Sequence, residues 1–337
     1  MTDTIFVTGG TGHLGHNLLP LLAEAGFRLR VLTRHPADHP WLRQFANVEV
    51  IEGEVENLTC IEQAVQGCRY VVHGAGLFAF WGKPAAFERT NILGTENVLK
   101  ASLGAGVEKI IHISTVVVIG NPPRGQTLDE NTPPHPADPY QRSKLRGEQI
   151  ARRYFEEQGL PVVILRPGAF YGPYSRYAFN RLFIEDPLKG LCLQVNGGRN
   201  VTFPVYVGDV ARGIHLALER GQAGETYNLC GETLTHKEAN RIISDEAGLS
   251  SLRINVPQWA LVVLARAWTA LSEITQVEPY YPINLRTYVF YDWRVSSEKA
   301  RTALHFEPIP FREGVRHTLR WYQDIGLWKG KRGKGRL

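Results

Sequence analysis

Tyr140-Gln-Arg-Ser143-Lys144 sets a phenol and an amine four residues apart. On a helix that spacing is one turn, so the two side chains share a face. A phenol titrates near pH ~10, too high for acid–base work at neutrality, and an ammonium one turn away favours the phenolate and lowers that value. Twenty-five residues before Tyr140 an apolar run ends in Ser114-Thr115. A hydroxyl at a strand end beside the tyrosine would hydrogen-bond a substrate carbonyl. Alone, Tyr-x-x-x-Lys describes many helix surfaces; the rest of the chain gives it weight.

The N-terminal run Ile5-Phe6-Val7-Thr8-Gly9-Gly10-Thr11-Gly12-His13-Leu14-Gly15 reads as a buried strand, a tight turn and a helix start. Such a turn lets phosphates approach backbone, and the helix offers unpaired N–H groups and a positive dipole end. Gly9, Gly12 and Gly15, with Thr11, His13 and Leu14 between them, therefore predict a dinucleotide site. The next run ends in Thr33-Arg34-His35-Pro36. A carboxylate there binds the ribose 2′-hydroxyl of NAD, whereas a 2′-phosphate needs a cation. Arg34 supplies one, so NADP is expected, with NAD the lesser alternative. After the third run, Glu54 and Val55 are placed to meet the adenine. After the fourth, Gly74, Ala75 and Gly76 leave room for a ribose against backbone.

Apolar runs at 4–8, 28–33, 48–51, 69–73, 107–114 and 161–166 alternate with amphipathic segments, the longest at 84–104 and 138–158. That alternation predicts an α/β fold: a Rossmann-type doubly wound parallel sheet with a smaller, mostly helical substrate lobe. A helix at 209–220 and a strand near 225–229 rejoin the sheet, and helices are expected at 235–247, 257–273 and 312–325. The expected organisation is 1–168 with 201–232 as the NADP-binding domain and 169–200 with 233–328 as the substrate lobe. Residues 329–337 read as a disordered basic tail.

The tail holds five of the basic residues and no acid, so the net charge of +5 belongs to it and the remainder sums to zero. A nucleic-acid surface is not indicated; weak contact of the tail with anionic membrane is the lesser alternative to a solvated end. Cys60, Cys68, Cys192 and Cys230 show no pairing or metal-ligand spacing and read as reduced packing residues; no metal site is expected. The first strand starts too early to leave room for a signal peptide, which points to the cytoplasm. The apolar run from Trp259 to Leu271 is short for a membrane span and contains Arg266, so a buried or lid-forming helix is expected.

Taken together, the sequence resembles the extended short-chain dehydrogenase/reductase superfamily, the NAD-dependent epimerase/dehydratase family, over roughly residues 4–328. The resemblance is carried by the glycine turn, Asn91-Ile-Leu-Gly94-Thr95-Glu-Asn97-Val98, Ser114-Thr115, Tyr140-x-x-x-Lys144, Arg166-Pro167-Gly168-Ala-Phe170-Tyr171-Gly172-Pro173 and Val207-Gly-Asp209-Val210-Ala211. It implies Tyr140 as general acid, Lys144 on the nicotinamide ribose and Thr115 as polarising hydroxyl, with Ser114 the alternative. Pro167, Gly168 and Phe170 would line the nicotinamide; Asn91 would serve the cofactor site or a structural hydrogen bond. It also implies a homodimer through 84–104 and 138–158.

Within the superfamily, sugar-nucleotide enzymes typically carry asparagine where this chain has Ala169 and an Arg-Asp pair where it has Thr202-Phe203. Thr33-Arg34-His35-Pro36 resembles dihydroflavonol reductases, and Arg166-Pro167-Gly168 with Tyr291-Asp292-Trp293 resembles 3β-hydroxysteroid dehydrogenase-like members, so the chain is most similar to that branch. Phe78, Phe80, Trp81 and Tyr174 are expected to wall an apolar substrate site. The expected activity is an NADP(H)-dependent carbonyl reductase or alcohol dehydrogenase acting on an apolar or ring-containing small molecule. A nucleotide-sugar epimerase or dehydratase is the first alternative, a non-catalytic dinucleotide sensor the second.

Overall fold

The computed structural model describes residues 3–330. Its main sheet holds β1 (Thr4–Thr8), β2 (Arg28–Thr33), β3 (Val48–Glu52), β4 (Tyr70–His73), β5 (Lys109–Ile113), β6 (Val162–Pro167) and β7 (Thr226–Leu229). All pairings are parallel, in the order β7-β6-β5-β4-β1-β2-β3. The chain therefore winds outward from β1 in both directions, and the strand order reverses between β1 and β4. A crevice outside the carboxyl ends of the strands opens at such a point. This is the doubly wound α/β fold that the alternating runs predict.

The principal helices are α1 (Gly15–Glu24), α2 (Leu58–Val65), α3 (Gly94–Ala105), α4 (Pro139–Gln158), α5 (Val207–Arg220), α6 (His236–Ala247), α7 (Gln258–Thr275) and α8 (Phe311–Asp324). Strand residues alternate between the two faces. Ile5 and Val7 enter a core with Leu18, Leu22, Val210 and Ile214, whereas Phe6 enters one with Ile61, Val98 and Ile150. Each face is thus sealed by its own helices, and inner strands such as β1 and β6 read as near-continuous apolar runs because both sides are buried.

The expected helix over 84–104 is interrupted. A short turn at Pro84–Phe87 leads into a π-helical turn, Glu88–Leu93, before α3 begins. The wider turn accommodates an extra residue and directs Asn91 inward, where it is buried. Helix α4 is set more firmly. Asp138 caps it by accepting from the Gln141 N–H at 2.8 Å, Pro139 occupies its first turn, and Gly159 ends it at φ 69°. That register aligns Tyr140, Lys144 and Glu148 on successive turns.

Off the sheet, Tyr171, Phe179 and Ile184 build a further core with Ile243 of α6 and with Phe311, Val315 and Leu319 of α8. Helix α6 starts with a reciprocal cap between Thr235 and Glu238. Helix α7 turns Trp259, Val263 and Ile274 to solvent, 72%, 59% and 82% exposed, so the lid-forming expectation describes only its inner side. Among the described residues no helix is long and apolar enough to cross a membrane, and no three metal-ligating side chains gather. The four cysteines are unpaired. Of the basic tail, residues 331–337 lie outside the described residues.

Candidate active site

A cavity of 620 Å³ follows the carboxyl ends of the central strands. At one end its lining comes from Gly9, Thr11, Gly12, His13 and Leu14. A side chain at Gly9 would put its Cβ 2.6 Å from the Gly74 carbonyl, and Gly9 has φ 74°, so the turn is tight against the β4 loop by construction. Gly15 lies beneath the turn rather than on the cavity: its Cβ would stand 2.0 Å from the Gly10 oxygen. No side chain caps α1; its His16 and Asn17 N–H groups donate to the Gly12 carbonyl at 3.1 Å and the Leu14 carbonyl at 3.0 Å. Arg34, Glu54, Val55, Gly74, Ala75 and Gly76 continue the lining, joined by His35 and His39. A glycine turn pressed onto the β4 loop, open to the cavity and flanked by Arg34, fits a pyridine dinucleotide.

At the other end Ser114, Thr115, Tyr140, Lys144, Gly168 and Phe170 line the same cavity. Thr115 is the hydroxyl set beside the Tyr140 phenol, and it accepts from the Val117 N–H at 3.4 Å. Ser114 is turned the other way and donates to Glu148 Oε2 at 2.9 Å. Lys144 Nζ donates to the Ile113 carbonyl at 2.6 Å, beneath Gly76.

Two aspects of the expected electrostatics change. Burial, and after it the Asp138 carboxylate, push the Tyr140 phenol well above its ordinary value, with Thr115 pulling in the opposite direction. Lys144 is not among the groups that move it, and the net direction is upward, opposite to the expected depression. Burial lowers Lys144 itself to about 8, against a smaller upward pull from Glu148. Burial likewise drops His13 to about 4, leaving it neutral at the turn.

Four expected contacts besides Gly15 fall off the cavity. Asn91 is 1% exposed, and its amide accepts from the Leu77 N–H at 2.7 Å and donates to the Leu77 carbonyl at 3.0 Å and to Ser143 at 2.8 Å. It clamps the loop after β4 onto α4, so its place is structural. Pro167 is buried at the end of β6, and Trp81 is half-buried outside the lining. Tyr174 is 50% exposed and stacks on His16, ring centroids 4.6 Å apart. Phe78 and Phe80 do line the cavity, Phe78 with its ring 4.8 Å from that of Tyr140.

Some participants were not anticipated. Glu148 follows Lys144 by one more turn of α4 and receives Arg166 through two bonds, 3.0 Å from Nε and 2.5 Å from Nη2. The repeat of four from Tyr140 to Lys144 to Glu148 is the signal that points to it. Tyr288 donates to Asp138 at 3.2 Å and lines the cavity beside Tyr140, and Tyr177 and Phe203 complete the wall. Tyr288 stands 150 residues from Asp138 in the chain, and no local pattern announces that contact.

Residues 5–230 match the family model described as the NAD dependent epimerase/dehydratase family. A putative dihydroflavonol 4-reductase from Synechocystis sp. is 29% identical, the alignment spanning 98% of this chain and 97% of that protein. A 4-hydroxy-2-methyl-3-oxo-4-farnesyl-3,4-dihydroquinoline-1-oxide ketoreductase from Stigmatella aurantiaca is 31% identical over 80% of this chain and 79% of its own length. Among solved structures, a dTDP-glucose 4,6-dehydratase from Streptomyces venezuelae with NAD bound superposes with a TM-score of 0.77, at 27% identity, over 96% of this chain and 98% of that one.

Proposed function

The chain belongs to the NAD-dependent epimerase/dehydratase family, and from that premise we propose that it is a carbonyl reductase acting on apolar or ring-containing ketones. The observation that carries this reading is the phenol of Tyr140, held neutral by burial, set beside the Thr115 hydroxyl on the cavity and flanked by Phe78. A neutral phenol at physiological pH is a proton donor, which is what reduction of a carbonyl requires. In this reading Thr115 orients the carbonyl oxygen and Tyr140 delivers its proton as negative charge develops there. Lys144 holds the cofactor ribose and keeps positive charge beneath the site. A nicotinamide dinucleotide, when bound along the glycine turn, supplies the hydride.

The family name and the NAD-bound dehydratase speak for a nicotinamide dinucleotide. Exposed Arg34 beside His35 and His39 supports the 2′-phosphorylated form, so NADPH is proposed over NADH. The Stigmatella relative, a ketoreductase by name, supports net reduction. Against the sugar-nucleotide alternative, Ala169, Thr202 and Phe203 line the cavity without a charge to hold a diphosphate. A cytoplasmic homodimer belongs to the same reading; light scattering tests its assembly. The deciding experiment is NADPH oxidation with a panel of sterol, flavonoid, aliphatic and nucleotide-sugar ketones. Net oxidation that disappears in Tyr140→Phe, with NADPH affinity retained, is expected; turnover of a nucleotide sugar without net oxidation overturns the proposal.

A further inference from the structure

Leu182, Phe183, Leu285 and Val289 line the cavity and also line a second, smaller chamber of 110 Å³. Helix α7 covers that chamber with Leu261, Val262 and Ala265. Little charge reaches it. The Asp186 carboxylate on its wall is engaged by the hydroxyls of Tyr280 and Tyr281. His236 is buried and uncharged at neutral pH, its pKa brought down to about 4 by that burial. Arg286, also on the wall, is exposed to solvent. The glycine turn is at the far end of the larger cavity, so the dinucleotide has no need of this space.

We infer that the chamber beneath α7 is a subsite for a hydrocarbon tail, so that the substrates are ketones with a carbonyl head at Thr115 and Tyr140 and an aliphatic extension running past Phe183. The inference rests on reading the larger cavity as a carbonyl site. Phe78, Phe80, Tyr177 and Tyr288 pack edge to face or stacked beside Tyr140, with Phe80 5.1 Å from Tyr288 and 5.5 Å from Tyr177. They give an aromatic wall for the head, whereas the chamber beyond offers mainly aliphatic side chains. A hydrocarbon tail gains about fourfold in binding for each methylene it buries. A nucleoside diphosphate would instead bring charge against walls that cannot solvate it.

The test uses linear methyl ketones from hexanone to tridecanone, with kcat/KM measured on the full chain with NADPH and binding measured by calorimetry. Both should rise about fourfold per methylene and then level off as the chamber fills. Ala265→Phe and Leu261→Trp, each checked by thermal melting, should cut the tridecanone-to-hexanone ratio by about tenfold or more. A flat series in the wild-type protein, or a ratio that both folded variants leave unmoved, overturns the subsite. UDP bound more tightly than tridecanone and expelled by Ala265→Phe overturns it as well. Binding that grows with chain length while no ketone is reduced would keep the subsite and remove the reductase reading. Should neither variant fold, the wild-type series decides alone.

Discussion

The Ser114 hydroxyl donates to Glu148 at 2.9 Å, while the hydroxyl of the next residue, Thr115, lies beside the Tyr140 phenol. The two hydroxyls point to opposite sides of one strand end. Ser114 is anchored twice, since its N–H also donates to the Leu165 carbonyl at 2.7 Å. That anchor fixes which hydroxyl can meet a substrate.

Thr115→Val and Ser114→Ala should therefore separate cleanly. Losing the Thr115 hydroxyl should lower kcat by about a hundredfold, the scale of one oxyanion-stabilising donor. Losing the Ser114 hydroxyl should leave kcat within a few-fold and cost about 1 kcal/mol of stability. Steady-state kinetics and denaturant titration on the two variants read these outcomes; equal kinetic losses would reverse the assignment.

Glu148 and Arg166 form a buried pair, their side chains 2% and 4% exposed. Burial pushes the Glu148 carboxyl up, but the bonds and charge of Arg166 outweigh it and hold the group below its ordinary range. A carboxyl depressed in the folded state contributes stability that is complete above its unfolded value and is lost as pH falls through the folded one. Glu148→Gln leaves the guanidinium buried and uncompensated, which should cost about 3–5 kcal/mol at neutral pH. The gap from wild type should narrow under acid conditions, and urea titrations across pH would show whether it does.

The path from residues to site was readable where it is local. The glycine turn, the alternating runs and the Tyr140–Lys144 spacing describe contacts within one strand, one turn or one helix. Glu148 continues the four-residue repeat of Tyr140 and Lys144, but that repeat does not announce its partner Arg166, which arrives from β6. Asn91 could be assigned only once the π-helical turn had directed it onto Leu77 and Ser143. The Tyr288–Asp138 contact and the chamber under α7 depend on where the lobe packs against the sheet, which no periodicity encodes. The direction of the Tyr140 pKa also escaped, because it follows from burial by distant aromatic side chains.

Arg34 follows the last residue of β2, its side chain exposed beside the cavity. A guanidinium on a 2′-phosphate makes charge-assisted hydrogen bonds of about 1.5–3 kcal/mol. Arg34→Ala should thus weaken NADPH binding by roughly tenfold to a hundredfold. NADH binding should change little, since its ribose carries no phosphate. Fluorescence titration of both cofactors decides it; parallel losses would mean that Arg34 does not select between them.

Lys144 supplies a test that does not depend on substrate. Its ammonium is buried and its pKa falls from 10.5 to about 8, burial being the dominant cause. A lysine whose folded value lies below its unfolded one destabilises the fold at every pH below the folded value, because both states are charged there and only the folded one buries the charge. That cost fades between pH 8 and 10.5 and is absent above, where both states are neutral. At about 1.36 kcal/mol per pKa unit the cost reaches about 3 kcal/mol, offset in part by the bond to Ile113. Lys144→Met should accordingly be inactive yet more stable than wild type at pH 7, by about 2 kcal/mol, with the advantage shrinking toward pH 10. Thermal melts of both proteins at a series of pH values measure it. A variant less stable than wild type at pH 7, or a difference independent of pH, would show that the amine is solvated rather than enclosed.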